Sequence, residues 1–216
     1  SHRNPDGDTL GSAFALHYIL NQLGKRSRVE CHDGFPKQYS YLLAGYEEKD
    51  FEPKNIVAVD IADEQLFGEK LEKYRGKVDL GIDHHGSNKH YAKNWLVRDT
   101  AAACCEVIED ICYGFEEAKL TKIIADCIYT GVSTDTGCFR YSNTTAHTSQ
   151  VAAACAETGA DLYPITQELF DTTSISELKL QSWIVEHAQF LCEGKAAVCG
   201  IPADMENNVS KEDLEG

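Results

Sequence analysis

The side chains able to do chemistry in this chain are three histidines and a set of aspartates that recur at long intervals. His2, Asp6 and Asp8 fall in the run His-Arg-Asn-Pro-Asp-Gly-Asp, and Asp60 ends the run Asn-Ile-Val-Ala-Val-Asp. Asp83-His84-His85 follows an apolar stretch, and Asp135 lies in Ser-Thr-Asp-Thr-Gly. Imidazole and carboxylate donors without cysteine suit divalent ions such as Mn²⁺ or Mg²⁺. His2, Asp6, Asp8, Asp60, His84 and Asp135 are enough to hold two ions that share one carboxylate. Paired ions of that kind serve phosphoryl chemistry. Any one of these motifs alone would be an ordinary turn or helix cap. Four in order, each at an expected strand end or tight turn, point to one shared site.

Such side chains need a scaffold that delivers them to one place. Apolar runs predict strands over residues 27–31, 55–60 and 78–82, with a further strand over 195–201. Helical periodicity predicts helices over 11–23, 64–74, 101–112, 116–129, 145–158, 161–170 and 175–191, and a weak one over 38–45. Residues 130–140, rich in glycine and threonine, read as a turn. Strand, helix and strand at this spacing imply right-handed βαβ units. The expected fold is therefore α/β, a parallel β-sheet flanked by helices, with ligands at the carboxyl ends of the strands. Pro5 stiffens the first loop, Gly7 and Gly11 are expected to let backbone approach an anion, and Ser12 opens the first helix near a phosphate.

Composition narrows the classes. Hydrophobic residues make up 43% of 216, which suits a globular chain with a real core. No run of apolar residues is long enough to span a bilayer, so no membrane association is expected. The formal charge is −15, with 35 acidic against 20 basic residues, and no basic footprint for duplex DNA is present. The nine cysteines form no C-x-x-C pair, so they read as small buried hydrophobes and imply a reducing, cytoplasmic setting. Trp95 and Trp183 read as packing residues, Tyr39 and Tyr41 as candidates to stack on a base, and His17 and His187 as structural.

The motifs together resemble those of the DHH phosphoesterase superfamily. They are His2 to Asp8 with Gly11-Ser12, Val59-Asp60-x-x-Asp63, Asp83-His84-His85, and Ser133-Thr134-Asp135-Thr136-Gly137. The run Asp135-Thr136-Gly137-x-Phe139-x-x-x-Asn143-Thr144-Thr145 is similar to the branch of bifunctional oligoribonucleases and pAp phosphatases. The resemblance implies two Mn²⁺ ions, with Mg²⁺ or Co²⁺ as substitutes. His2, Asp6 and Asp60 would hold one ion; Asp8, Asp60, His84 and Asp135 would hold the other. His85 would donate to the phosphate, Asp83 would orient a histidine, and a hydroxide between the ions would attack phosphorus. Arg140 and Asn143, just after the fourth motif, are candidate substrate contacts.

The resemblance also implies substrates and organisation. Short oligoribonucleotides and pAp are the expected substrates, and a homodimer is permitted. Cyclic di-AMP phosphodiesterase or pyrophosphatase activity on the same site is the alternative, and a non-catalytic nucleotide or metal sensor is the alternative of another class. Residues 1–193 are expected to form the DHH domain with a helical linker, and 194–216 the beginning of a truncated associated domain. A strand is expected to precede His2.

Overall fold

The computed structural model describes residues 5–32 and 34–202. The chain divides into two compact units, Ser1–Leu169 and Phe170–Gly216. In the first, β1 (Val57–Val59), β2 (Leu80–Asp83) and β3 (Asn94–Val97) form a parallel sheet in the order β1-β2-β3. Val57 pairs with Leu80, and Leu80 with Asn94. Residues 27–31, expected as a strand, join no ladder among the described residues. β3 lies in a stretch that periodicity leaves unassigned, because its alternate residues are exposed. Trp95 on β3 covers Gly81, its register partner, where a Cβ would lie 2.0 Å from the indole.

Helices cover one face. α1 (Gly7–Gln22) packs on α4 (Lys122–Asp135), with α3 (Cys104–Tyr113) and α5 (Ala146–Thr158) alongside. Leu10, Phe14, Ile19, Ile108, Ile124, Ile128 and Val132 are fully buried between them. Each such aliphatic or aromatic side chain contributes about 1.5–3 kcal/mol when removed from water. A second cluster, Ala58, Ile61, Phe67, Leu71 and Val78, covers the opposite face. Ala58 and Val59 belong to different clusters, as adjacent strand residues should.

Two helix boundaries differ from expectation in ways that matter for chemistry. α1 starts at Gly7, not at residue 11, because Asp6 caps it by accepting a hydrogen bond from the Thr9 amide. Asp8 is therefore helical. α4 runs through 130–135, where a turn was expected, and ends on Asp135. The small residues of that stretch are a packing surface: a Cβ on Gly11 would lie 2.4 Å from the Cys127 carbonyl oxygen. Gly7 likewise faces Thr134, so both glycines serve helix approach rather than an anion. The helix expected over 64–74 is three short pieces, Glu64–Leu66, Gly68–Leu71 (α2) and Glu72–Tyr74, broken at Gly68 with φ +66°.

After α6 (Leu162–Thr166) comes the second unit, with α7 (Ile175–His187) and a hairpin of β4 (Gln189–Leu191) and β5 (Ala196–Val198). The helix expected to reach residue 191 ends at His187, and residues 189–191 pair as a strand instead. Gly194, placed by sequence at a domain boundary, lies in the hairpin connection; the units divide at Leu169 and Phe170. Trp183 stacks on His187 at 3.6 Å. All nine cysteines are free, five of them buried. Among the described residues no helix is long and apolar enough to cross a membrane.

Candidate metal centre

β1 and β2 end side by side, so Asp60 and Asp83–His85 reach the same rim of the sheet. Asp60 turns out of β1 at φ +55°, and its amide still donates to the Ile82 carbonyl at 2.9 Å. Left-handed backbone at a non-glycine residue is strained and tends to occur at functional positions. Thr9 Oγ1 donates to Asp60 Oδ2 at 2.7 Å, which leaves Asp60 Oδ1 buried without a hydrogen-bond partner. His84 Nε2 is the other orphan at this place. It lies 3.2 Å from Asp135 Oδ2, 3.6 Å from Asp60 Oδ1 and 3.8 Å from Asp8 Oδ2.

The opposite ring nitrogen explains the orientation. His84 Nδ1 is 3.2 Å from the Ala101 carbonyl oxygen, which can only accept, so Nδ1 carries the proton. In its neutral form the ring aims the lone pair of Nε2 at three carboxylates, the arrangement of a metal-binding histidine. Asp8 is held just as firmly. It is fully buried, and the amides of Cys105 and Cys104 donate to its two oxygens at 2.9 and 2.5 Å. α3 has no capping side chain of its own, so Asp8 of α1 caps it across the interface.

Electrostatics matches the geometry. Burial, reinforced by mutual repulsion, raises the carboxyls of Asp8, Asp60 and Asp135 above the usual range, Asp60 to about 6. Burial opposes charge on His84, but the carboxylates around it, Asp135 foremost, raise it to about 10. Both shifts mark a place where negative charge lacks a counter-ion. A divalent ion fits that need. Neighbouring ligand atoms at 2.0–2.1 Å from an octahedral ion stand about 3 Å apart, close to the His84–Asp135 separation.

The neighbouring histidine is built differently. His85 Nδ1 donates to Asp83 Oδ1 at 2.8 Å, and its Nε2 belongs to a side chain that is 45% exposed. Asp83 is buried, where it also accepts from the amides of His84 and His85 and from Asn88 Nδ2. Burial would raise Asp83, but those donors outweigh it and keep it ionised; the carboxylate in turn raises the His85 pKa.

Other expected site residues fall elsewhere. His2 lies outside the described residues. Asp6 spends one oxygen on the α1 cap yet still bears electrostatically on Asp60 and Asp135. Ser12 is fully buried, its hydroxyl facing Asp8 and Cys105. It therefore supports Asp8 and does not open onto a phosphate. Asn143 Nδ2 donates to the carbonyls of Asp135 and Ala102, tying the end of α4 to the approach to α3. Arg140 Nε donates to the Gly137 carbonyl at 2.6 Å. Tyr39 is buried and Tyr41 bonds Thr130, so neither is placed to stack on a base. His17 is satisfied by Asn21 and Ser27.

Sequence reading missed Thr9, Asn88 and the amides of Cys104 and Cys105. Thr9 stands next to Asp8 and could have been suspected; nothing local marks the others. A separate group, Glu109, Asp110 and His147, also lies close together, but Arg98 already pairs with Asp110. Gly131 guards the main site from behind. A Cβ there would fall 2.5 Å from Asp8 Oδ1 and 2.3 Å from Cys105 Sγ. Gly131→Ala is expected to destabilise the fold by about 1–3 kcal/mol and to weaken divalent-ion binding about tenfold. Thermal unfolding and Mn²⁺ titration check the two effects.

Comparison with known proteins decides the lineage. The pattern described as "DHH family, N-terminal domain" matches residues 1–132 of this chain. The chain belongs to the DHH family. Within what it resembles, the bifunctional oligoribonuclease and PAP phosphatase NrnA of Thermus thermophilus is 28% identical over 222 residues, covering 100% of this chain and 66% of that protein. A protein of Lactobacillus acidophilus named as a manganese-dependent inorganic pyrophosphatase is 24% identical over 165 residues, 72% of this chain and 52% of that one. This DHH chain thus spans between half and two thirds of the length of these relatives. The crystal structure of an exopolyphosphatase-related protein from Bacteroides fragilis shares the fold at a TM-score of 0.85 and 20% identity, over 100% of this chain and 68% of that one.

Proposed function

We propose that this DHH chain is the catalytic part of a phosphoester hydrolase that uses two Mn²⁺ ions to cleave short oligoribonucleotides and to remove the 3′-phosphate of pAp. The observation that carries the reading is the pair of buried orphans, Asp60 Oδ1 and His84 Nε2, converging with Asp8 and Asp135. Asp8, Asp60, His84 and Asp135 would hold one ion; Asp6 and Asp60, with His2, would hold the other. Bound there, the ions neutralise phosphate charge and activate water. The named relatives support the substrate class and the choice of manganese.

The chain's own residues have distinct tasks. Thr9, Ser12 and the amides of Cys104 and Cys105 fix the carboxylates before substrate arrives. Asp83 holds His85 by Nδ1 and favours its charged form, so that Nε2 can donate to a phosphate oxygen on the open side. His85→Gln is expected to lower kcat by about 10²-fold, as for loss of one donor to a developing anion, with Mn²⁺ binding little changed. Asp83→Asn should move the acid form of His85 to lower pH. A pH–rate profile of both variants reads this directly.

The test of function is to incubate the protein with Mn²⁺ and compare pAp, a short RNA and pyrophosphate. Turnover of pAp and RNA, lost with EDTA, is the expected result. Turnover of pyrophosphate alone would favour the second reading that the Lactobacillus relative suggests. Silence on all three with tight Mn²⁺ binding would reject catalysis by this chain.

A further inference from the structure

One face of α3 carries three carboxylates that the metal centre does not use. Glu106, Glu109 and Asp110 stand at i, i+3 and i+4, the spacing that brings side chains together on a helix. Glu106 is buried and already served: Thr148 Oγ1 donates to its Oε1 at 2.6 Å, which joins the first turn of α5 to α3. One turn further along α3, Glu109 and Asp110 meet His147 of α5. One donor atom of each lies within 4.8 Å of the others.

Two of these groups are stranded. Glu109 is 4% exposed, and no hydrogen bond reaches its carboxylate among the described residues. His147 Nε2 is fully buried and has no hydrogen-bond partner, so the two do not satisfy each other. Polar atoms buried this deeply are almost always satisfied. Asp110 is anchored instead: Arg98 Nη2 grips its Oδ2 and leaves Oδ1 uncommitted. The charges do not balance. Three carboxylates face the single guanidinium of Arg98, and the two negative charges left over equal the charge of one divalent ion. Burial, with Asp110 and Glu106 adding to it, raises the Glu109 carboxyl above its usual range, as expected where a counter-ion is wanting.

We infer that Glu109, Asp110 and His147 form a divalent-cation site separate from the metal centre, suited to Zn²⁺. One imidazole and two carboxylates are donors that zinc accepts, with water as the fourth. Zinc ligands at about 2.0–2.1 Å in a tetrahedron stand about 3.3 Å apart, so the three donors need only close in. Asp110 and His147 are less buried than Glu109 and have room to do so. The place in the fold gives the ion a structural role. The first turn of α3 holds Asp8 through the Cys104 and Cys105 amides, and Asn143, just ahead of α5, holds the end of α4. An ion that ties α3 to α5 stiffens both supports of the metal centre without touching it.

The test counts the Zn²⁺ retained by the metal-free chain after dialysis against micromolar Zn²⁺, for the parent, His147→Gln and Glu109→Gln. Each variant is expected to retain one ion fewer per chain, its affinity at this place lowered at least about tenfold. Equal counts in all three would overturn the inference. A second reading uses the parent alone and does not depend on either variant folding. Zn²⁺ is expected to shift the NMR signal of the His147 ring, and a ring signal unmoved at saturating Zn²⁺ would overturn the inference. His84→Gln, which strikes the metal centre, is expected to leave that shift intact. Its disappearance there would mean that the His147 ring reports only the metal centre, and would overturn the separate site.

Discussion

Asp60→Asn is expected to lower Mn²⁺-dependent turnover by about 10³-fold or more while leaving the protein folded. In the proposed reading it is the side chain that would touch both ions. Loss of several kcal/mol of charge stabilisation translates at 1.36 kcal/mol per factor of ten. Asparagine keeps the shape, can accept the bond from Thr9, and tolerates the left-handed backbone at φ +55°. Removing one of several mutually repelling buried carboxylates should also leave the metal-free protein equally or more stable at pH 8. The variant should lose the rise in Tm that Mn²⁺ gives the parent chain. Turnover within threefold of the parent would reject Asp60 as the bridging ligand.

The second large effect is on stability against pH. Without metal, Asp60 has a folded pKa of about 6 against an ordinary 3.8. A raised carboxyl pKa contributes stability at low pH that disappears as pH climbs from about 4 to 6. For this buried group the loss is on the order of 3 kcal/mol. Asp8 and Asp135, also raised, act in the same direction. His84, raised to about 10, adds a contribution present below its ordinary 6.5 and lost as pH rises toward 10. The metal-free protein should therefore weaken steadily from pH 5 to pH 9. Mn²⁺ replaces the protons, so its stabilising effect should grow over the same range. Denaturant melts at pH 5 and pH 8, with EDTA and with Mn²⁺, measure this. A metal-free protein more stable at pH 8 than at pH 5 would contradict the cluster's electrostatics.

Particular elements show what could be read in advance. The apolar runs before Asp60 and Asp83 predict strands that the sheet contains, because a strand buried on both faces has few other ways to satisfy its backbone. The run 130–134 misleads for the opposite reason. Its glycine and threonines look like a turn by local propensity, yet they are the surface that lets α4 approach α1 closely. Tertiary packing there outweighs local preference. Residues 189–191 are similar: periodicity continues a helix through them, while their pairing with residues 196–198 is decided across the hairpin.

By itself the sequence picked out Asp8, Asp60, His84 and Asp135, which the fold brings together; Asp60 and His84 follow strands as expected, whereas Asp8 and Asp135 lie on helices and not in the expected loop and turn. Residue chemistry and strand ends are local properties, so they survive without coordinates. Only the tertiary structure decided what each donor rests on. The Cys104 and Cys105 amides donate to Asp8 from a helix nearly a hundred residues away, Ser12 faces inward, and Asn143 clamps the end of α4. Those roles depend on which backbone groups packing leaves unpaired and on which side chain fills the gap, and no spacing along the chain encodes that.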